Sequence, residues 1–478
     1  MKKNKKIMAG LVALILVAGF VAISCAGLRR GDVPFGSSYD VVIIGAGGAG
    51  LSAAITVKDA GASVVIFEQM PFPGGNTVRA TGGINATGTE FQARLGINDT
   101  VDLFFDDVMR GGGNMSNPVL VRILAEQSAS AIHWLTAMGA DLSDVGRMGG
   151  SSINRTHRPT GGAQVGPELS GALVRRVGEM NIPLITEAQV TSLTTARDGR
   201  VNGVEVRFAN RTHRVRANSV ILATGGFGAN SEMIESLDPS LRGFVTTNHA
   251  GADGSGIMMA ESLGAALIDM REIQTHPTHA PGREMITEAV RGNGAIMTNT
   301  SGRRFVNEMD LRDIVSEAIL AQDGGGAFLV FDYSIRRSLA VIESYIRSGI
   351  VLEGATPEAL APQLGASGAV LAETIARYNA AVAAGTDADF GRASMPRSLS
   401  VPPFYAIWVK PAIHHTMGGV KIDTEARVIC VGGLPIPGLY AAGEVAGGFH
   451  GNNRLGGMAL ADIIVFGRIA GESAVAGR

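Results

Sequence analysis

Two cysteines among 478 residues leave little room for sulfur chemistry. Cys25 closes an apolar leader, so the rest of the chain holds Cys430 alone and no internal disulfide is expected there. No Cys-x-x-Cys-His site exists for covalent haem, and no cysteine cluster for an iron–sulfur centre. Histidines, cysteines and carboxylates nowhere recur at metal-ligand spacing, and no Gly-x-Ser-x-Gly elbow points to a hydrolase. Strong net charge is missing too. The balance is −2, so nothing general draws the chain to nucleic acid or acidic lipid, and any taste for anions must come from a local cluster. Internal repeats and low-complexity tracts are absent after the leader. What is present is 46% hydrophobic residues with 18% charged ones, the balance of a globular chain with a large core. Sixty-five glycines gather in short loops, as suits a backbone that approaches an extended ligand at many points.

The first 25 residues read as a targeting segment. Lys2, Lys3, Lys5 and Lys6 precede an apolar run from Ile7 to about Ile23, and small residues lead to Cys25. Ala22-Ile23-Ser24 before Cys25 resembles a bacterial lipoprotein processing site, which would make Cys25 the lipidated first residue. An ordinary cleaved signal or an uncleaved anchor are the other readings. All three place the protein on the periplasmic side, outside the cytoplasm. Residues 26–37 read as a tether.

Tyr39 to Ile44 reads as a buried strand, Gly48 to Ala60 as a helix and Ser63 to Phe67 as a second strand, a β-α-β unit. Asn117-Pro118 is a capping residue followed by proline, the start of a helix to Met138. Residues 184–222 read as an antiparallel meander ending in Ala223-Thr224-Gly225-Gly226. From about 271 to 410 charge, proline and helix-forming sequence increase, for instance over Pro357 to Val382, and this stretch reads as an inserted domain. The fold class is α/β (α+β overall). A Rossmann-like dinucleotide domain in two parts, 38–270 and 411–478, is interrupted by the insertion.

Gly45-Ala46-Gly47-Gly48-Ala49-Gly50 fits Gly-x-Gly-x-x-Gly after a strand and before a helix, and Glu68 ends the next strand 23 residues past Gly45. Gly45 permits the tight turn, Gly47 admits the pyrophosphate, and Gly50 lets helix and strand pack closely. The helix N-terminus favours the anion, and Glu68 would take the ribose hydroxyls. Further glycine turns at Gly74-Gly75-Asn76-Thr77, Ala80-Thr81-Gly82-Gly83, Thr224-Gly225 and Ala442-Gly443-Glu444 favour a long, two-headed cofactor, FAD rather than NAD.

Gly-Gly-Asn-Thr, Ala-Thr-Gly-Gly-Phe, His-His-Thr-Met-Gly-Gly and Ala-Ala-Gly-Glu-Val-x-Gly-Gly-x-His-Gly-x-Asn-Arg-Leu-Gly-Gly resemble, in order from Tyr39 to the C-terminus, the soluble (flavocytochrome c type) fumarate reductases. These belong to the fumarate reductase/succinate dehydrogenase flavoprotein superfamily. The resemblance implies non-covalent FAD, with contacts expected at Gly45, Gly47, Ala49, Gly50, Glu68, Asn76, Thr77, Gly82, Gly83, Val190, Thr224, Gly225, Asp253, His415, Glu444, Ala459 and Leu460. It makes 271–410 a capping (clamp) domain. His414, Arg454 and the Gly457 backbone would hold one carboxylate of a small unsaturated dicarboxylate, and His276 with Thr287 the other. Hydride would pass from flavin N5 to one alkene carbon and a proton from Arg312 to the other, with Glu288 and Arg291 as relay. Asp310-Leu311 departs from the family pattern beside that arginine. Retention of His276 and Thr287 favours fumarate, with urocanate, methacrylate or an aryl acrylate as alternatives. A non-catalytic, lipid-tethered electron-relay subunit is the reading from another class. His249, His279 and His133 read as surface or packing residues, and no metal is expected. Electrons are expected from a separate c-type cytochrome or FMN protein.

Overall fold

The computed structural model describes residues 33–477. The leader and most of the tether lie outside the described residues. Among the described residues no helix is long and apolar enough to cross a membrane.

The core of Ser38–Arg478 is an eight-stranded sheet. Ser38–Ile44 lies at its centre, parallel to Val64–Phe67 on one side and to Arg211–Leu222 on the other. A parallel strand covered on both faces needs a continuous apolar run, and Val41, Val42 and Ile43 are fully buried. Pro435–Ala441 extends the parallel set beyond Arg211–Leu222. Helix Gly48–Asp59 packs on the C-terminal helix Met458–Ala476 at very short range. A Cβ on Gly467 would fall 2.7 Å from the Ala49 carbonyl, and one on Gly471 2.8 Å from that of Ala53. Small residues on both helices therefore bring the Gly45–Gly50 loop and the start of the C-terminal helix to one place.

The helix expected after Asn117 spans Pro118–Ala137, with the Asn117 side chain accepting the Val119 N–H at 3.0 Å. The meander needs a correction at both ends. Leu184–Ile185 is parallel to Val64–Phe67, and Arg211–Leu222 is antiparallel to Val201–Phe208 along one edge but parallel to the central strand along the other. Period-two alternation is blind to the direction of a neighbour. The helical stretch 357–382 is two helices, Pro357–Leu364 and Gly368–Ala384, parted by Gly365 in the left-handed region (φ 78°).

A second, five-stranded antiparallel sheet is organised by the 13-residue strand Phe404–Thr416. Its first half pairs with Ala327–Asp332 and Val351–Gly354, and its second half with Ile273–His279. Residues between Ala280 and Val409 form a hydrophobic cluster on this sheet, including Leu329, Phe331, Tyr345, Leu371 and Ile407. Two register shifts interrupt the Ile273–His279 pairing, one after Gln274 and one after His276. Such bulges re-aim side chains. They bring residues of Ile273–His279 beside His414 and His415.

Candidate active site

The Gly45–Gly50 loop is built as its spacing demands. Gly45 has φ 103°, and a Cβ there would lie 2.3 Å from the Ala223 carbonyl oxygen. On Gly50 it would lie 2.0 Å from the Gly45 carbonyl oxygen. Gly47 differs: the nearest atom to its Cβ position is Thr77 Oγ1 at 4.0 Å, which leaves the backbone open to the cavity. Thr77 Oγ1 accepts the Gly48 N–H at 3.0 Å. The Glu68 carboxylate accepts the Ala46 and Met70 N–H groups at 2.8 and 2.9 Å. Burial pushes its pKa up, against those bonds.

A cavity of about 440 Å³ runs along this loop. Gly45, Gly47, Ala49, Glu68, Asn76, Thr77, Gly82, Gly83, Val190, Thr224, Gly225, His415, Glu444, Ala459 and Leu460 line it. So do His276, Thr287, Glu288, Arg312, His414, Arg454 and Gly457. Three expected residues do not. Gly50 packs behind the loop, Arg291 is 1% exposed behind Glu288, and Asp253 accepts the Ser255 N–H at 2.9 Å and the Gln69 side chain at 3.3 Å. Conversely, His249 and His279, expected on the surface or in packing, both line the cavity.

The charged part is organised by a residue the sequence did not single out. Gln274 Oε1 accepts Arg312 Nη1 and Arg454 Nη2, each at 3.1 Å, while its Nε2 donates to the Arg454 carbonyl at 2.7 Å. Two guanidinium groups therefore converge on one neutral oxygen. Burial, and then Arg312, lower the Arg454 pKa to about 9. The counter-charge is Glu288, whose Oε2 accepts Arg312 Nε at 2.9 Å and Nη2 at 2.8 Å, and stands 3.7 Å from Arg291 Nη2. Burial would raise that carboxyl, but Arg312 and Arg291 outweigh it and hold it at about 2. Arg291 itself is lowered to about 10, by burial first and despite Glu288.

The rings of His276 and His414 meet edge-on with centroids 4.9 Å apart. His276 Nδ1 accepts the Thr278 N–H at 3.3 Å, which assigns the ring proton to Nε2. His414 Nδ1 pairs with the Thr247 hydroxyl at 2.7 Å. Burial, then neighbouring cations, push both histidines well below their usual range, and His414 is pushed by His276 as well. They are neutral hydrogen-bond groups beside two fixed cations. Thr287 is anchored through its N–H to the Tyr345 hydroxyl at 3.0 Å. Gly457, at φ 83°, begins the helix Met458–Ala476, and a Cβ there would lie 2.3 Å from Asn85 Oδ1. His415 Nδ1 stands 3.5 Å from Glu444 Oε1.

The open backbone at Gly47, the helix N-terminus behind it and the Glu68 carboxylate are the donor and acceptor set a dinucleotide requires. The FAD binding domain family matches residues 40–460. The chain belongs to the FAD-dependent fumarate reductase flavoproteins. It is 50% identical over 439 residues to the fumarate reductase (cytochrome) of Shewanella frigidimarina, covering 91% of this chain and 77% of that protein. It is 46% identical to the NADH:fumarate oxidoreductase of Klebsiella pneumoniae (strain 342), with 91% of this chain spanning 48% of that longer protein. Among solved structures, the open conformation of a flavocytochrome c3 fumarate reductase matches with a TM-score of 0.77 and 43% identity, over 92% of this chain and 78% of that one. As a family member the protein is an FAD-dependent oxidoreductase acting on CH–CH bonds, and its α/β class is the family's.

Proposed function

We propose that the protein reduces fumarate to succinate. The observation that carries this reading is the convergence of Arg312 and Arg454 on Gln274, with the His276–His414 pair in the wall of the same cavity. Two cations and two neutral imidazoles, with one buried carboxylate already engaged, suit a small dianion. FAD, held by the Gly45–Gly50 loop and Glu68, supplies the hydride when bound.

The chain's own residues do the rest. Arg454, His414 and the Gly457 backbone hold one carboxylate, and His276 with Thr287 the other. This fixes the alkene and keeps water out. Arg312 gives a proton to the carbon that does not receive hydride. Its geometry supports that role, because both Nε and Nη2 are bonded to Glu288, which can return a proton from Arg291. Residues 271–410 act as the clamp over the cavity.

Two electrons per turnover come from a separate donor, a c-type cytochrome or an FMN protein. The leader directs the protein to the periplasmic side, with Cys25 as a lipid anchor. Loss of membrane association in Cys25→Ser would support the anchor.

The test is purified holoprotein, reduced viologen, and fumarate, urocanate, cinnamate and methacrylate assayed in parallel. Fumarate is reduced fastest, and Arg312→Ala loses turnover while retaining FAD. Faster reduction of an aryl acrylate would overturn the substrate, and a fully active Arg312→Ala the proton donor.

A further inference from the structure

One buried acid–base pair takes no part in the reaction described above. His450 is 3% exposed and Asp462 1% exposed, and His450 Nε2 stands 3.6 Å from Asp462 Oδ2. That is ion-pair range, but too long for a hydrogen bond. Neither ring nitrogen of His450 has a hydrogen-bond partner in the protein, and nor does Asp462 Oδ1. Asp462 is foreign to its surroundings. Its neighbours on helix Met458–Ala476, namely Ala461, Ile463, Ile464 and Val465, are buried apolar side chains. A carboxylate buried among such groups without hydrogen bonds is costly.

The pair lies one ring away from the cofactor cavity. The His450 ring meets the His415 ring edge-on, at 71° with centroids 5.3 Å apart. His415 lines the cavity with Glu444 and Arg454, whereas His450 and Asp462 do not. The titratable and charged groups around the pair are His415 on strand Phe404–Thr416, Arg454 on the loop before the helix, and Glu444 beyond His415.

Burial pushes the His450 pKa down, against Asp462, and Arg454 pushes the same way. Burial pushes Asp462 up, held back by His450 and Arg454. The ring is thus neutral at rest, with a carboxyl group placed to hold it once charged. An added negative charge beyond His415 favours the imidazolium.

We propose that His450 is a proton acceptor that offsets the charge of flavin reduction, with Asp462 as its counter-charge. When bound FAD takes up two electrons it also takes up one proton, and a second proton passes from solvent to His450. That second proton returns to solvent when hydride leaves for the substrate. No channel is required, because interior groups exchange protons through local opening, which is fast against a redox titration. The role is the same whichever acid is reduced.

The test is the midpoint potential of FAD in the holoprotein, followed against pH by spectroelectrochemical titration. In a two-electron couple each proton taken up shifts the potential by about 30 mV per pH unit. Wild type should take up two protons between about pH 6 and 8, around the ordinary histidine range. His450→Gln and Asp462→Asn should take up one, so that the reduction equilibria of wild type and variant diverge tenfold per pH unit as pH falls. A purely structural pair would change flavin retention or melting temperature and leave the slope alone. One proton in wild type overturns the assignment, and so does a second proton that survives in His450→Gln. If neither variant retains FAD, the infrared difference spectrum of wild type on reduction decides. It should contain an imidazolium band that shifts with isotope-labelled histidine, and its absence overturns the proposal.

Discussion

The His276 ring stands edge-on to the His414 ring at 62°, and each ring's Nδ1 is engaged, by the Thr278 N–H and the Thr247 hydroxyl. Both Nε2 atoms are thereby left for substrate. The pair belongs to adjacent strands, so neither ring can turn without disturbing the other. Replacing either by alanine should raise the KM for fumarate at least about tenfold, since one hydrogen bond to a charged group contributes roughly 1.5–3 kcal/mol. Thr247→Val should do so more weakly, by freeing the His414 ring. Steady-state kinetics check both, and an unchanged KM in His276→Ala would remove that residue from the site.

Gln274 is a neutral spacer between two cations. Gln274→Glu would put a carboxylate where the substrate's own charge is to sit, pairing Arg312 and Arg454 in advance. Binding of succinate to the holoprotein should weaken by an order of magnitude or more, with thermal stability held or increased. Titration calorimetry and a melting curve give the two readouts. Tight binding in this variant would show that the guanidinium pair does not recognise the anion.

Glu288 links acid stability to the relay. Its pKa is depressed from 4.5 to about 2, so its contribution is full above the unfolded value and is lost as pH falls through the folded one. A shift of that size corresponds to roughly 3 kcal/mol, an order-of-magnitude figure for a buried, coupled carboxylate. Denaturant midpoints between pH 5 and 2 should therefore fall less steeply in Glu288→Gln than in wild type. At neutral pH the same variant should be destabilised, because Arg312 and Arg291 lose their buried counter-charge. Parallel pH profiles for the two proteins would contradict this.

Gly47 and Gly50 should separate under mutation to alanine. A Cβ on Gly50 collides with the Gly45 carbonyl, so Gly50→Ala should lower the melting temperature of the apoprotein and abolish flavin retention. On Gly47 a Cβ meets nothing nearer than 4.0 Å, so Gly47→Ala should fold normally and lose FAD affinity alone. Apoprotein melting curves and flavin absorbance after desalting distinguish the two.

These sites differ in how far the chain announced them. Val41 to Ile44 and the glycine loop were legible because a strand buried on both faces and a turn with positive φ each restrict residue type. Asn117 was legible as a cap for the same reason. Gln274 was not. A glutamine carries no charge or special backbone conformation, and its importance arises only when strand Ile273–His279 lies against Phe404–Thr416 and Arg454 arrives from 180 residues away. His249 and His279 carry no signal of the cavity either, being isolated histidines in ordinary contexts. Asp253, expected at the cofactor, does not line the cavity: its carboxylate accepts the Ser255 N–H and the Gln69 side chain, and an acidic residue before a glycine fits either role. A second cavity, of about 220 Å³ and lined by Met148 and Ser151 among others, has no linear signature, being made from four separated stretches.

Strand Phe404–Thr416 carries Tyr405 to Val409 in the middle of the second sheet and His414-His415 at its far end, without a break. Packing in the second sheet and the placement of the two imidazoles therefore share one continuous strand, so a mutation at a site as remote as Ile407 is expected to shift imidazoles it never touches.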